Sequence, residues 1–235
     1  RALQARDAFD NPRTRDILVD AMVLSATTSV VALLVIVVAG TPIAFTLARA
    51  EGRWVRIVDA LIDLPIILPP AVAGIALLAA FGRRGILGAW LDRAGITLGF
   101  TTAAVVMAQI FVAAPFFIRT ARAGFLRVDR TLEEAAADLG ASPFRVFWRV
   151  SLPLCRGSLL AGAILAWARA LGEFGATIMF AGNRQGVTQT MPLAIYERFG
   201  AGDLNAAIAL SAVLLATSVV FLVLVRLLGE SSSPR

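Results

Sequence analysis

Residues 131–153 read TLEEAAADLGASPFRVFWRVSLP and form the centre of a polar interlude, Arg119 to Arg156, between flanks hydrophobic enough to live in a membrane. The spacing predicts two short helices joined by a glycine. Thr131 with Glu134 three residues on has the spacing of a capping box, in which hydroxyl and carboxylate each satisfy an orphan backbone N–H. The first helix then runs through Ala135, Ala136, Ala137 and Leu139. Gly140 can take the left-handed conformation that closes it, and Ser142 before Pro143 offers a fresh N-cap with proline at the first helical position. The second helix carries Phe144, Phe147 and Trp148 at i, i+3, i+4, with Arg145 and Arg149 as a basic pair at i, i+4. Pro153 is expected to stop it.

This segment has two readings. One is an amphipathic helix on the headgroups, aromatics in lipid and arginines on phosphates. The other follows from the linear pattern. Glu134, Ala135, Ala136, three residues, Gly140, nine residues, Val150, one residue, Leu152 and Pro153 resemble the EAA loop of ABC importer permeases. Val150 is a mild departure, since isoleucine is usual there. Seven positions in register over about twenty residues make a specific signal. The resemblance implies a coupling helix docked in a groove of a cytoplasmic ATPase subunit. Glu134, Ala135, Ala136 and Gly140 would set its fold, and Phe144, Phe147 and Trp148 would be its contacts, as buried aromatics suit an interface pocket.

Composition agrees with a membrane protein. The chain has 235 residues, is 58% hydrophobic and 16% charged, and has a mean hydropathy of +0.80, too apolar for a soluble domain of this size. All 22 basic residues are arginine, against 16 acids, and the net charge of +6 suits loops facing anionic lipid rather than nucleic acid. Histidine is absent and Cys155 is the only cysteine, which removes thiol-rich metal sites, disulfides and Ser/His or Cys/His catalysis. Cys155 is expected to pack as a small hydrophobe.

In chain order, a mixed polar head to Asp20 includes a turn at Asn11 and Pro12, with a helix beginning near Thr14. The 28 residues from Ala21 to Ala48 carry no charge and exceed the roughly 20 needed to cross a bilayer. Gly40 and Pro42 are expected to kink this first span, and Arg49, Arg53 and Arg56 to lie in a short loop. The second span is placed at Leu64 to Phe81, opening on LPIILPPAVAG, whose prolines make either a broken helix end or backbone lining a path. A loop from Gly82 to Gly99 holds an apolar piece, Ile86 to Leu91, too short to span. The third span is Phe100 to Ile118, with Pro115 near its end and Gln109 as its one amide.

The fourth span begins near Leu154 and is interrupted by Arg169 and Glu173, which at i, i+4 can pair on one helix face. Charges at membrane depth are costly and mark function by default, although a pair at an interfacial turn would only neutralise itself. The last span is Leu204 to Val225. The interlude's seven arginines against four acids place it in the cytoplasm, and counting outward puts the N-terminus outside. A further spanning helix upstream is expected on that ground, which would give six spans where five are present.

ARALGEFGATIMFAGN, residues 168–183, with TQTMPLAIY, residues 188–196, and the LPIILPPAVAG stretch resemble the molybdate importer permeases. The sulfate and thiosulfate permeases share the GEFG core from Gly172 to Gly175, and tungstate permeases are hardly separable. The resemblance implies an all-α polytopic helical bundle of the type I ABC importer permease fold. Residues 1–235 would be one transmembrane domain, with the coupling loop at about 126–153. It implies a homodimer in a bacterial or archaeal cell membrane, with ABC ATPase subunits below and an extracytoplasmic molybdate-binding protein above. The chain would bind no cofactor, and ATP and Mg would sit on the partner ATPase, since no Gly-rich loop ending in Gly-Lys-Ser/Thr occurs here. For the path, the outer part of the fourth span is expected, around Glu173, Thr177 and Asn183, with Gly172, Gly175 and Gly182 serving close helix approach. An ion-coupled secondary transporter is the rival class. It would need titratable carboxylates within the spans, and there only Glu173 qualifies.

Overall fold

Long uncharged runs must satisfy their backbone polar groups internally, because hydrocarbon offers them no partner. The computed structural model describes residues 12–230 and is helical accordingly, with no strand among those residues. Its helices are α1 (Pro12–Arg49), α2 (Arg53–Ile67), α3 (Pro70–Phe81), α4 (Gly88–Arg93), α5 (Thr102–Leu126) and α6 (Arg130–Asp138). They continue as α7 (Pro143–Val146), α8 (Leu152–Leu171), α9 (Gly175–Phe180), α10 (Met191–Gly200) and α11 (Leu204–Glu230). A π-helical segment, Phe147–Ser151, joins α7 to α8. Among the described residues four runs are long and apolar enough to cross a membrane: Thr14–Arg49, Thr102–Leu126, Pro143–Leu171 and Leu204–Val223. The bent pair α2 and α3 makes a fifth if counted as one span. Asn11, half of the expected opening turn, lies outside the described residues.

Helices α1, α5 and α8 pack along their lengths around Ile36, Leu47, Phe117, Phe125, Cys155 and Ala170, so Cys155 is indeed a small core residue. A second core, around Ala73, Leu77, Val105, Val112 and Phe180, joins α3, α5 and α9. A third, with Ile17, Ala21, Met191 and Leu210, ties α1 to α10 and α11. Lipid tails are as apolar as leucine, so these contacts rest on close packing, which small residues permit. A Cβ on Gly74 would lie 2.6 Å from the Ala176 carbonyl oxygen, and one on Gly175 would lie 2.9 Å from Pro70 Cβ. The half-helices α3 and α9 thus meet backbone to backbone. Gly175 serves close approach as expected, whereas Gly172 meets only its own preceding turn, at Ala168 O, and Gly182, at φ +73, turns the chain beside Phe100.

Several boundaries differ from the expected ones. The second span is not a helix from Leu64. The chain forms α2 from Arg53, taking in the expected Arg53–Arg56 loop, and then turns by 117° into α3. Leu68 and Pro69, both extended at ψ 133, supply the break, because each is followed by a proline, whose ring disfavours the helical conformation of the residue before it. The third span runs on through Pro115 to Leu126, carrying Arg119 and Arg122. Helix α1 continues unbroken through Gly40 and Pro42. There a Cβ on residue 40 would fall 2.8 Å from the Phe117 ring.

Replacing Gly74 with valine should therefore drive α3 from α9 and destabilise the bundle by about 1–3 kcal/mol, the usual cost of overpacking. Gly157→Ala, where a Cβ meets nothing within 4 Å, should leave thermal unfolding in detergent unchanged or slightly raised. Equal melting of Gly74→Val and the parent would refute this packing.

Candidate functional site

The interlude folds as two helices about a glycine. Asp129, not Thr131, is the N-cap of α6, and its carboxylate accepts from Thr131 N–H at 3.0 Å. The expected capping box lies two residues late, because the helix already starts at Arg130, with the Asp129 carboxylate capping it. Gly140 takes φ +84 after α6, and Pro143 opens α7 behind Ser142. The Ser142 hydroxyl makes no capping bond.

Pro153 does not end the second helix. Leu152 N–H donates to Phe147 O, five residues back, so the hydrogen-bond register is shifted through Phe147–Ser151. Proline then enters the first turn of α8, where a missing N–H costs least. The second helix of the interlude and the fourth span are consequently one run, Pro143–Leu171.

One buried cluster clips this segment to the bundle. At the end of α1, Arg49 Nε donates to Glu133 Oε2 at 2.9 Å and Nη2 to Oε1 at 2.7 Å, a bidentate fork. Its Nη1 donates to the Phe125 carbonyl at 2.9 Å, closing the end of α5. Ser151 Oγ donates to Glu133 Oε1 at 2.6 Å, which binds the π segment as well. The side chains of Arg49 and Glu133 are only 17% and 15% exposed. Burial pushes the Glu133 carboxyl upward, but the bonds from Arg49 and Ser151 outweigh it and hold the group below its ordinary value. The pair therefore stays charged above the ordinary carboxylate range, and its stabilisation is lost only as pH falls through the depressed value. Phe45, Phe125 and Phe147 pack edge-on behind it, with Phe45 and Phe147 centroids 4.9 Å apart.

The expected contact residues separate in this geometry. Phe147 turns inward to that aromatic cluster. Phe144 and Trp148 are 74% and 52% exposed, and Leu139, beside Gly140, is 89% exposed. Glu134 and Ala135 are exposed on α6, and Ala136 is half-buried. The neighbouring Glu133 makes the buried bonds, a role that the EAA spacing does not signal. The usable hint was Arg49, the first charge after a long apolar run.

A second pair of clips holds α2 on α5: Asp59 with Arg122 and Asp63 with Arg119. Their spacings, i, i+4 and i, i+3, put each pair on one helix face. They too went unread in the sequence.

Farther up α8, Arg169 Nη1 lies 2.6 Å from Glu173 Oε2, so the expected i, i+4 pair forms. The contact is an ion pair off the hydrogen-bonding axis, and Oε2 has no aligned donor. Glu173 is 1% exposed, and its Oε1 accepts the Ala176 N–H at 2.8 Å, capping α9. Thr177 is fully enclosed in the α3–α5–α9 core and its hydroxyl finds no partner among the described residues. Asn183 lies on the exposed turn after α9, where it donates to Glu197 at 2.8 Å. Glu197 also accepts from Gln189. Helix α8 ends at Leu171, so the expected fourth span is broken at Gly172–Phe174. Among the described residues no three His, Cys, Asp or Glu side chains converge as metal ligands.

The molybdenum transport system permease proteins ModB of Mycobacterium bovis and Mycobacterium tuberculosis are each 49% identical to this chain over 194 residues, 83% of it and 73% of theirs. A probable sulfate transport system permease of Chlorokybus atmophyticus is 38% identical over 183 residues, 78% of this chain and 64% of the relative. The fold is similar to that of a bacterial ABC transporter involved in import of the acidic polysaccharide alginate, with a TM-score of 0.76 at 15% identity over 99% of this chain and 88% of the other. Residues 40–233 match the family model for the inner membrane component of binding-protein-dependent transport systems, and this multi-pass membrane chain belongs to that family.

Proposed function

We propose that the chain is the membrane-spanning subunit of an ATP-driven importer of molybdate. A homodimer would form the path, two ABC ATPases below would carry ATP and Mg, and an extracytoplasmic binding protein above would deliver the anion. The observation that carries the reading is the clipped coupling segment. Glu133 joins α6, α1 and the π segment at one point, so a force on the tip around Leu139 and Gly140 reaches two spans without slack. The 49% identity to molybdenum permeases supports the substrate, and the family's dependence on binding proteins supports the partner above. Sulfate is the second reading, favoured by the 38% identical relative. Tungstate is a dianion of the same shape and would pass as well.

The buried charges suit the transit of a dianion. Arg169 would be an anion trap if alone, but Glu173 neutralises it at 2.6 Å. Glu173 is also committed to capping α9, which leaves it poorly placed as the shuttling carboxylate of an ion-coupled carrier. Outside the membrane, Leu139 and Phe144 offer an exposed apolar tip to a groove on the ATPase, while Phe147 sets the tip's angle from within.

Three outcomes are expected. With the binding protein present, ATPase activity of the reconstituted complex should rise with molybdate and tungstate; a rise with sulfate alone would overturn the substrate. Leu139→Asp should weaken ATPase co-purification by about tenfold or more while the permease melts normally, and unchanged co-purification would remove the tip from the interface. Glu133→Gln leaves Arg49 half-buried without its counter-charge and should cost about 1–3 kcal/mol, read in thermal melts, together with a loss of transport per ATP. Exchanging both residues, Arg49→Glu with Glu133→Arg, restores opposite charges and should recover part of both the melting temperature and the coupling ratio; recovery of the melt alone would make the clip purely structural.

A further inference from the structure

Beside the clipped segment runs a trough of about 780 Å³ between the cytoplasmic half of α1 and the start of α8. Its walls are Val37, Val38 and Thr41 on one side and Leu152, Leu160 and Ala163 on the other, with Phe144 and Trp148 at its mouth. The single hydroxyl, on Thr41, donates back to Val37 O at 2.6 Å, so the side-chain donors left in the lining are the Arg156 guanidinium and the Trp148 indole N–H. Pro42 and Pro153, also in the lining, contribute no N–H. A polar peptide or a hydrated ion would lose its hydrogen bonds here, and an aliphatic chain would lose nothing. The length fits as well. Along α8 the lining from Leu152 to Ala163 rises about 17 Å, close to one leaflet of a hydrocarbon core roughly 30 Å thick.

The trough has one charged lining residue, Arg156. Arg156 is exposed, as are Arg145 and Arg149 on the same continuous helix, and among the described residues none of the three has a carboxylate within ion-pair distance. Arginine can reach from an apolar wall back to headgroup level. The geometry assigns this trough to an anionic diacyl phospholipid of the inner leaflet, with an acyl chain between α1 and α8 and its phosphate on Arg156, flanked by Arg145 and Arg149. The occupied trough braces the π segment from the lipid side, opposite the Glu133 clip. This part rests on the reading of the segment as a coupling element, and lipid occupancy itself does not.

The test uses the intact permease–ATPase complex in nanodiscs of phosphatidylcholine alone or mixed equally with phosphatidylglycerol. Native mass spectrometry of the resting complex, without substrate, should show phosphatidylglycerol retained over phosphatidylcholine. Arg156→Gln should lower that preference about fivefold, the scale of one arginine at an anionic surface. Ala163→Trp, which fills the trough, should exclude both lipids while the ATPase still co-purifies. A photoreactive phenylalanine analogue at Val38 should yield lipid adducts. Adducts joining two permease chains, or the chain to its own upstream part, would overturn the assignment, as would unchanged retention in Arg156→Gln. Because occupancy is read without molybdate, failure of the transport reading leaves this result interpretable.

Discussion

The bidentate bond between Arg49 and Glu133 is the constraint on which the cytoplasmic end of this bundle depends. Two charges that are mostly removed from water can coexist only if each neutralises the other and the remaining donors are used. Arg49 meets that condition with both forks on Glu133 and its third nitrogen on the Phe125 carbonyl. Glu133 meets it by accepting Ser151 as well. The ends of α1 and α5, helix α6 and the π segment are thereby held at one point. An apolar contact of similar area could slide, whereas a planar fork on a carboxylate fixes angle as well as distance.

Much of this arrangement was legible in the sequence. Gly140 at φ +84, Pro143 opening the second helix, and the first, third and last apolar runs as spans follow from local rules that the fold bears out. What stayed hidden depends on where the chain is free to yield. Pro153 reads as a stop because an α-helix needs the N–H it lacks. The chain instead inserts a π turn, an option that only the surrounding packing decides. Asp129 replaces Thr131 as the cap because the turn after α5 ends at Asp129, two residues before the capping box would begin. The clips Arg49–Glu133, Asp59–Arg122 and Asp63–Arg119 join residues far apart in the chain. No periodicity within one helix can reveal a partner on another.

The candidate path residues show the same division. The spacing of Arg169 and Glu173 predicts their pairing, and they pair. It does not predict that Glu173 also caps a half-helix, because the break at Gly172–Phe174 lies inside a run that looks continuous by hydropathy. Breaks of this kind are tolerated at membrane depth only where protein supplies the lost backbone partners. Here the Glu173 carboxylate supplies one, to Ala176 N–H, and close contact with α3 encloses the rest. A buried carboxylate that might be taken for a transport site is thus already occupied in holding the fold.

The same π turn decides continuity. A break at Pro153 would have separated residues 143–152 from the fourth span. The π turn carries the helix through, so Pro143–Leu171 is one run of 29 residues, roughly 43 Å at 1.5 Å per residue. Its lower end is fixed sideways by Ser151 on Glu133, and its upper end carries Arg169 against Glu173 and α9.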